Sequence, residues 1–69
     1  MRVRFFLNGN EIGTRYLSSP PAVGDEVTAF TPHVESVTKC RVESRRWLVL
    51  EEEERNQEVE IHMIEVPNA

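Results

Sequence analysis

The chain has 69 residues, of which 39% are hydrophobic, enough for one small core but not for a two-domain enzyme. Twelve acidic residues against eight basic ones give a formal net charge of −4, so the molecule as a whole repels phosphate backbones and anionic lipids at long range. The single cysteine, Cys40, forms no internal disulfide, and we therefore expect a reducing, cytoplasmic location.

No apolar run approaches the roughly 20 residues that span a bilayer. The amino terminus also lacks the basic segment followed by an apolar stretch that is typical of a secretory leader. We therefore expect no membrane partner.

The first predicted element is a β-hairpin around Asn8-Gly9. The preceding residues are β-branched and aromatic with alternating character, and Asn-Gly tolerates the positive φ angles of a type I′ turn. With this dipeptide as the loop, Phe5 opposes Ile12 on an apolar face. Arg2 opposes Arg15 on a polar face, a like-charge pair that an acidic partner or the glutamates of a neighbouring strand would relieve.

Later strands follow a proline-containing loop at residues 18–21, since proline donates no ladder hydrogen bond. A third strand is predicted from Val27 to about Thr31, and a fourth begins at Val37 and places Cys40 on its apolar side.

A polar interruption at residues 43–46 predicts a turn or bulge near Ser44, before an apolar run at 47–50 that is short enough for a buried strand. The last predicted strand covers residues 58–66. Its alternation reverses after Met63, which predicts a bulge there.

Five or six short strands with turns between them predict an all-β fold, and the small size favours a barrel over a sandwich. We expect a single β-barrel domain over residues 1–67 and a frayed tail at residues 68–69. Periodicity leaves the strand order open.

Three features also occur in a known family: the strand entry Val23-Gly24-Asp25-Glu26-Val27, a later Val42 with Arg46-Trp47, and a closing Val59-x-Ile61 strand. In these the sequence resembles small SH3-like barrel proteins, many of them uncharacterised phage or bacterial open reading frames. The resemblance covers most of the chain from Pro20 onward. It implies a five- or six-stranded antiparallel SH3-like barrel with a binding or assembly role, and it carries over no catalytic residue.

The sequence offers little for metal or covalent chemistry. Cys40, His33 and His62 are the candidate soft or borderline metal ligands, and none stands at a paired ligand spacing. No phosphate-binding glycine motif is present. We predict no catalytic residue, no metal, no cofactor and no small-molecule substrate.

A basic cluster surrounds the single tryptophan, with Arg41, Arg45 and Arg46 preceding Trp47. Guanidinium groups beside an indole are typical of surfaces that bind single-stranded nucleic acid. The simpler interpretation is that Trp47 fills the core while the arginines flank it in solvent.

An acidic run, Glu51, Glu52, Glu53 and Glu54, has no apolar member and predicts a solvated hairpin tip. Such a tip either imitates a phosphate backbone for a basic partner or keeps a small β-protein soluble and blocks edge pairing.

Taken together, these features favour a non-enzymatic binding or assembly module that contacts another protein, or a copy of itself through a strand edge. One alternative is a nucleic-acid-binding barrel that uses Arg41, Arg45, Arg46 and Trp47. Another is an acidic, phosphate-mimicking inhibitor protein.

Overall fold

The computed structural model describes residues 1–31, 36–49 and 57–67. Within them the chain forms five strands and no helix: β1 (Arg2–Leu7), β2 (Asn10–Tyr16), β3 (Glu26–Thr31), β4 (Ser36–Leu48) and β5 (Glu58–Glu65). The strands make one sheet in the order β2-β1-β5-β4-β3, curled into a half-barrel. The all-β prediction is therefore confirmed, and β2 and β3 are the two edges of the sheet.

The central pair of the sheet joins the two ends of the chain. β1 runs parallel to β5, with Val3 beside Val59 and Phe5 beside Ile61, whereas the other three pairings are antiparallel. The sheet is mixed, so the antiparallel SH3-like barrel is not confirmed. Parallel and antiparallel strands share the same two-residue side-chain period, and a sequence pattern therefore does not separate them.

The first hairpin forms as predicted at its turn. Asn8 has φ 51° and Gly9 has φ 84°, as a type I′ turn requires. Beyond the turn, the pairing shifts by one residue: Phe5 opposes Gly13, and Ile12 is the extra residue of a β-bulge. The predicted register is therefore wrong from this bulge onward.

The bulge exchanges the two faces of β2, since side chains alternate along a strand. Arg2 opposes Tyr16, and Arg15 opposes Val3. The predicted Arg2–Arg15 pair does not form, and Arg15 instead shares a face with a fully buried valine. Ile12, predicted to pack on the apolar face, is 47% exposed.

The two segments predicted around Ser44 are one continuous strand of 13 residues, β4. Val42 opposes Met63 and Ser44 opposes His62, so Glu43 is the extra residue of a bulge. The predicted bulge near Ser44 is confirmed. The bulge predicted in β5 is wrong, because Met63, Ile64 and Glu65 pair with consecutive residues of β4 and the extra residue lies in that partner strand.

A tight turn positions the start of β3. Gly24 has φ 94°, a conformation that glycine adopts without steric cost. The Asp25 carboxylate accepts a hydrogen bond from the Ala22 N–H at 2.8 Å, and the Gly24 N–H donates to the Val42 carbonyl at 2.9 Å. These bonds fasten the turn to β4.

The buried core comes from the three central strands. Its members are Val3, Cys40, Val42, Val59, Ile61 and Met63. The edge strand β3 adds only partly buried Val27 and Ala29, and no β2 residue belongs to this cluster. We call the face that carries the core the concave face and its opposite the convex face. The core is centred on β5, and the concave face is open toward both edges.

Shortening the buried Ile61 should cost more stability than the same change at the exposed Ile12. We expect Ile61→Val to lower the free energy of unfolding by about 1 kcal/mol and Ile12→Val by less than about 0.5 kcal/mol. Urea unfolding followed by circular dichroism measures both. Equal losses would contradict the packing described here.

Candidate functional site

An open groove of about 420 Å³ lies between the two edge strands. Its floor is formed by Phe5 and Met63, and its walls are residues 12–15 of β2 and 27–30 of β3. The groove exists because β2 and β3 are not paired with each other among the described strands. Its volume lies within the range of roughly 300–1,000 Å³ that is usual for binding sites.

The wall formed by β3 presents unpaired backbone groups. The Val42 N–H donates to the Asp25 carbonyl at 2.9 Å, so Asp25 and Val42 form a hydrogen-bonded pair at the start of the β3–β4 ladder. Hydrogen-bonded and non-hydrogen-bonded pairs alternate in antiparallel strands, so Val27 bonds to β4. The N–H and C=O groups of Thr28 and Phe30 therefore point away from β4 and toward the open side, where no described strand pairs with them.

The wall formed by β2 is different, because a side chain caps it. Met1 and Leu17 exchange two backbone hydrogen bonds, at 2.8 and 2.9 Å, and are therefore a hydrogen-bonded pair. Because such pairs alternate with non-hydrogen-bonded pairs, the backbone of Arg15 bonds to β1 and the Thr14 carbonyl points away from it. Nη1 of Arg15 donates to that carbonyl at 3.0 Å. The guanidinium thus occupies the acceptor that an added strand would use.

The groove is apolar except at one end. Ile12, 47% exposed, stands on the rim at β2, and the partly buried side chains of Val27 and Ala29 line the wall at β3. Arg15 is the one ionisable side chain among the described residues that line the groove. No described carboxylate forms an ion pair with it. The groove therefore combines an apolar floor with a single positive charge.

The predicted basic cluster is divided between the two faces of β4. After the bulge, Arg45 and Trp47 stand opposite buried residues of β5 and share the concave face. Arg46 stands opposite Glu60 on the convex face, where Arg41 also lies. The four residues do not form one surface.

Trp47 lies at the surface, with 44% of its area exposed. The interpretation that it fills the core is wrong, because β3 accompanies β4 only as far as Arg41 and no described strand flanks Trp47 on that side. The Arg45 guanidinium carbon lies 5.9 Å from the centroid of the Trp47 ring, within the range of a cation–π contact. Arg45 and Trp47 form the concave half of the predicted patch.

A charge network covers the convex face around Arg4. Its Nε and Nη2 donate to the two carboxylate oxygens of Glu11 at 3.0 and 2.9 Å. Glu58 and Glu60 each approach the guanidinium to 3.6 Å. The hydrogen bond from Arg4 lowers the pKa of Glu11, and the same bond raises the pKa of Arg4. Glu11 of the hairpin and two glutamates of the neighbouring β5 strand thus surround Arg4.

The two candidate metal ligands that the structure describes, Cys40 and His62, lie on opposite faces of the sheet. Cys40 is fully buried on the concave face. His62 lies on the convex face, where Nε2 is 3.0 Å from Oε1 of Glu60 and the ring stacks on Phe6 at 4.7 Å. His33 is outside the described residues. Within the described ranges, no group of three potential ligands suits a metal ion.

Two sequence predictions fall outside the described residues. The acidic run at residues 51–54 and the tail at residues 68–69 are among them, so both interpretations of the run stay predictions. Across residues 1–31, 36–49 and 57–67, no helix has the length and apolar character needed to cross a membrane.

Sequence reasoning missed the groove. The uninterrupted hairpin register placed Arg15 on the polar face, and nothing in the pattern showed that β2 and β3 would both be edges. One signal was present, since Gly13 follows Ile12 directly and an isolated glycine within a strand often marks a bulge.

Acid should weaken the fold partly through Glu11. The pKa of Glu11 is lowered in the folded state from its usual value of 4.5. The stability that the Glu11 carboxylate contributes is therefore present above pH 4.5 and is lost as the pH falls through the folded-state pKa. We expect Glu11→Gln to lose less stability than wild type between about pH 7 and about pH 3 in urea unfolding. Glu43→Gln, which alters an exposed carboxylate with no described ion pair, should follow wild type. Parallel curves for Glu11→Gln and wild type would exclude this contribution.

The Cys40 thiol should resist modification in the folded protein. Burial raises its pKa, and the thiolate is the reactive form. We expect an aromatic disulfide reagent to label the folded chain slower than the urea-unfolded chain by about 100-fold or more. A Cys40→Ser, Val37→Cys double variant is the control, since Val37 is 62% exposed and a thiol there should react at similar rates in both states. Rapid labelling of folded wild type would show that the core opens.

The chain was also compared with protein-family models, curated proteins and solved structures, and these comparisons found no match. No relative therefore supports the SH3-like resemblance, and the described residues show a small all-β half-barrel.

Proposed function

We propose that this protein is a non-enzymatic binding module that takes up an extended segment of a partner protein in the groove between β2 and β3. The observation that carries the proposal is the free β3 edge, which borders an apolar floor. An extended chain that adds to a sheet edge gains main-chain hydrogen bonds, and its alternate side chains enter the pockets beside the edge.

The backbone of β3 suits this mode of binding. Thr28 and Phe30 present N–H and C=O groups to the groove, about 6.6 Å apart at the usual rise along a strand. A strand that pairs with them places every second side chain toward the concave face, above Phe5 and Met63. Backbone pairing supplies affinity, and the floor supplies preference for apolar side chains.

Beside the groove, the side chains of β3 leave this edge unprotected; Glu26, the first residue of β3, is its one charged residue. Proteins commonly block sheet edges with lysine, proline or inward-pointing charges. Residues 27–30 of β3 are Val, Thr, Ala and Phe, and none of them is charged or a proline. The wall of β2 carries a cap in the form of Arg15. We therefore assign the added strand to the β3 edge.

Amide hydrogen exchange tests the free edge without any partner. The amides of Thr28 and Phe30 should exchange faster than that of Val27, by about 10-fold or more, because only the latter bonds to β4. The measurement is exchange followed by two-dimensional NMR on wild-type protein. Equal protection at Thr28 and Val27 would show that the edge is already paired, and light scattering would then identify a second copy as its occupant.

A peptide library tests the binding itself. Eight-residue random peptides displayed on phage should be enriched by wild type, and the enriched peptides should slow exchange at Thr28 and Phe30. Thr28→Pro removes the N–H that would bond to the peptide, and it breaks no hydrogen bond between β3 and β4, since proline is tolerated at such edge positions. This change should weaken peptide binding by about 10-fold or more. Thr28→Val keeps the backbone and is the matched control. Failure to enrich any peptide, or equal binding by Thr28→Pro, would overturn the proposal.

Binding of single-stranded nucleic acid is a second candidate, which the exposure of Trp47 beside Arg45 favours. Trp47 is the single tryptophan, so its fluorescence reports on this position alone. A mixed-sequence oligonucleotide should quench it at low salt and less at near-physiological salt, and Arg45→Gln should weaken the effect. Arg2→Gln, which changes a residue paired with Glu58, is the control. Unchanged fluorescence at both salt concentrations would remove this candidate.

A further inference from the structure

We infer that Arg15 makes the groove selective for an extended segment that carries an acidic side chain at one end and apolar side chains at alternate positions. The inference rests on the proposed function and names the chemistry of the occupant. It assigns to Arg15 the role of a specificity-determining residue.

The position of Arg15 is the first argument. The bulge at Ile12 places Arg15 opposite Val3, on the face that carries the core. A guanidinium in such a place brings a positive charge to an otherwise uncharged groove. At the polar face that the sequence pattern predicted, this charge would have no access to an occupant of the groove.

The partners of Arg15 are the second argument. The basic residues of β1 have carboxylates beside them: Arg4 contacts three glutamates, and Arg2 lies 3.5 Å from Glu58. Arg15 has only the Thr14 carbonyl among the described residues. A carboxylate accepts two parallel hydrogen bonds from a guanidinium and carries the opposite charge, so a carboxylate from an occupant would improve on the single bond to a neutral carbonyl.

A carboxylate would also change the β2 edge. When the guanidinium turns toward an acidic side chain, it releases the outward-pointing Thr14 carbonyl. That carbonyl can then accept an N–H from the added strand, while the opposite edge of the same strand pairs with Thr28. Charge recognition at Arg15 therefore frees a further hydrogen-bond acceptor on the β2 wall for the occupant.

The charge at position 15 provides the test. We would pan the same eight-residue phage library in parallel on wild type, Arg15→Gln and Arg15→Glu. Wild type should enrich peptides that contain Asp or Glu among apolar residues. Arg15→Gln should retain the apolar preference and lose the acidic one, and Arg15→Glu should favour Lys or Arg. Arg2→Gln, which changes an arginine on the convex face, should select the same peptides as wild type.

A synthetic peptide pair then measures the size of the effect. The peptide most enriched by wild type, and its counterpart with the acidic residue replaced by its amide, should differ in Kd by about 10-fold on wild type and by less than about 2-fold on Arg15→Gln. Chemical denaturation of each variant checks that it is folded.

The outcomes separate the inference from the proposed function. If the enriched peptides bind at Thr28 but show no preference for acidic residues, the inference is overturned and the proposed function stands. The same holds if Arg15→Glu selects the same acidic peptides as wild type. If no variant enriches any peptide, the proposed function fails and the inference fails with it. A wild-type dimer with Thr28 already protected would assign the groove to a second copy and would overturn both.

Discussion

The parallel pairing of β1 with β5 is the interaction on which the rest of this fold depends. It brings Val3 beside Val59 and Phe5 beside Ile61, and so joins the amino-terminal hairpin to the strand that carries half of the buried core residues. A two-stranded hairpin is marginally stable by itself in water. Without this pair, β1 and β2 would have no apolar surface to pack against, and the groove would lose the floor that Phe5 and Met63 form together.

Single-residue insertions decide which side chains can function together. The bulge at Ile12 carries Arg15 to the concave face, and the bulge at Glu43 carries Arg45 and Trp47 there. Each insertion shifts the two-residue period by one step, which moves every later side chain of the strand to the opposite face. The one positive charge of the groove and the position of the indole on the concave face both result from such shifts.

The two edges of the sheet differ in how they are protected. At β2 a guanidinium occupies the outward carbonyl of Thr14, while along residues 27–30 of β3 no charge or proline interferes with strand addition. On the convex face, Arg4 is held among three glutamates. The Arg15 guanidinium, which has no described ion pair, and the unpaired backbone of β3 lie in the same groove, and this coincidence favours protein binding through strand addition as the proposed function.

The sequence by itself determined the local features of this protein: the Asn8-Gly9 turn, the all-β class, and the presence of an irregularity near Ser44. Each of these depends on the conformational preferences of neighbouring residues, which a sequence displays directly. The predicted site was less successful, since β4 divides the arginines around Trp47 between its two faces. Only the tertiary structure decided the parallel central pair, the hairpin register beyond Ile12 and the groove. These three features depend on which distant apolar faces are buried together. The alternation of side chains along a strand has the same two-residue period whichever strand it pairs with, so the sequence pattern does not identify the partner.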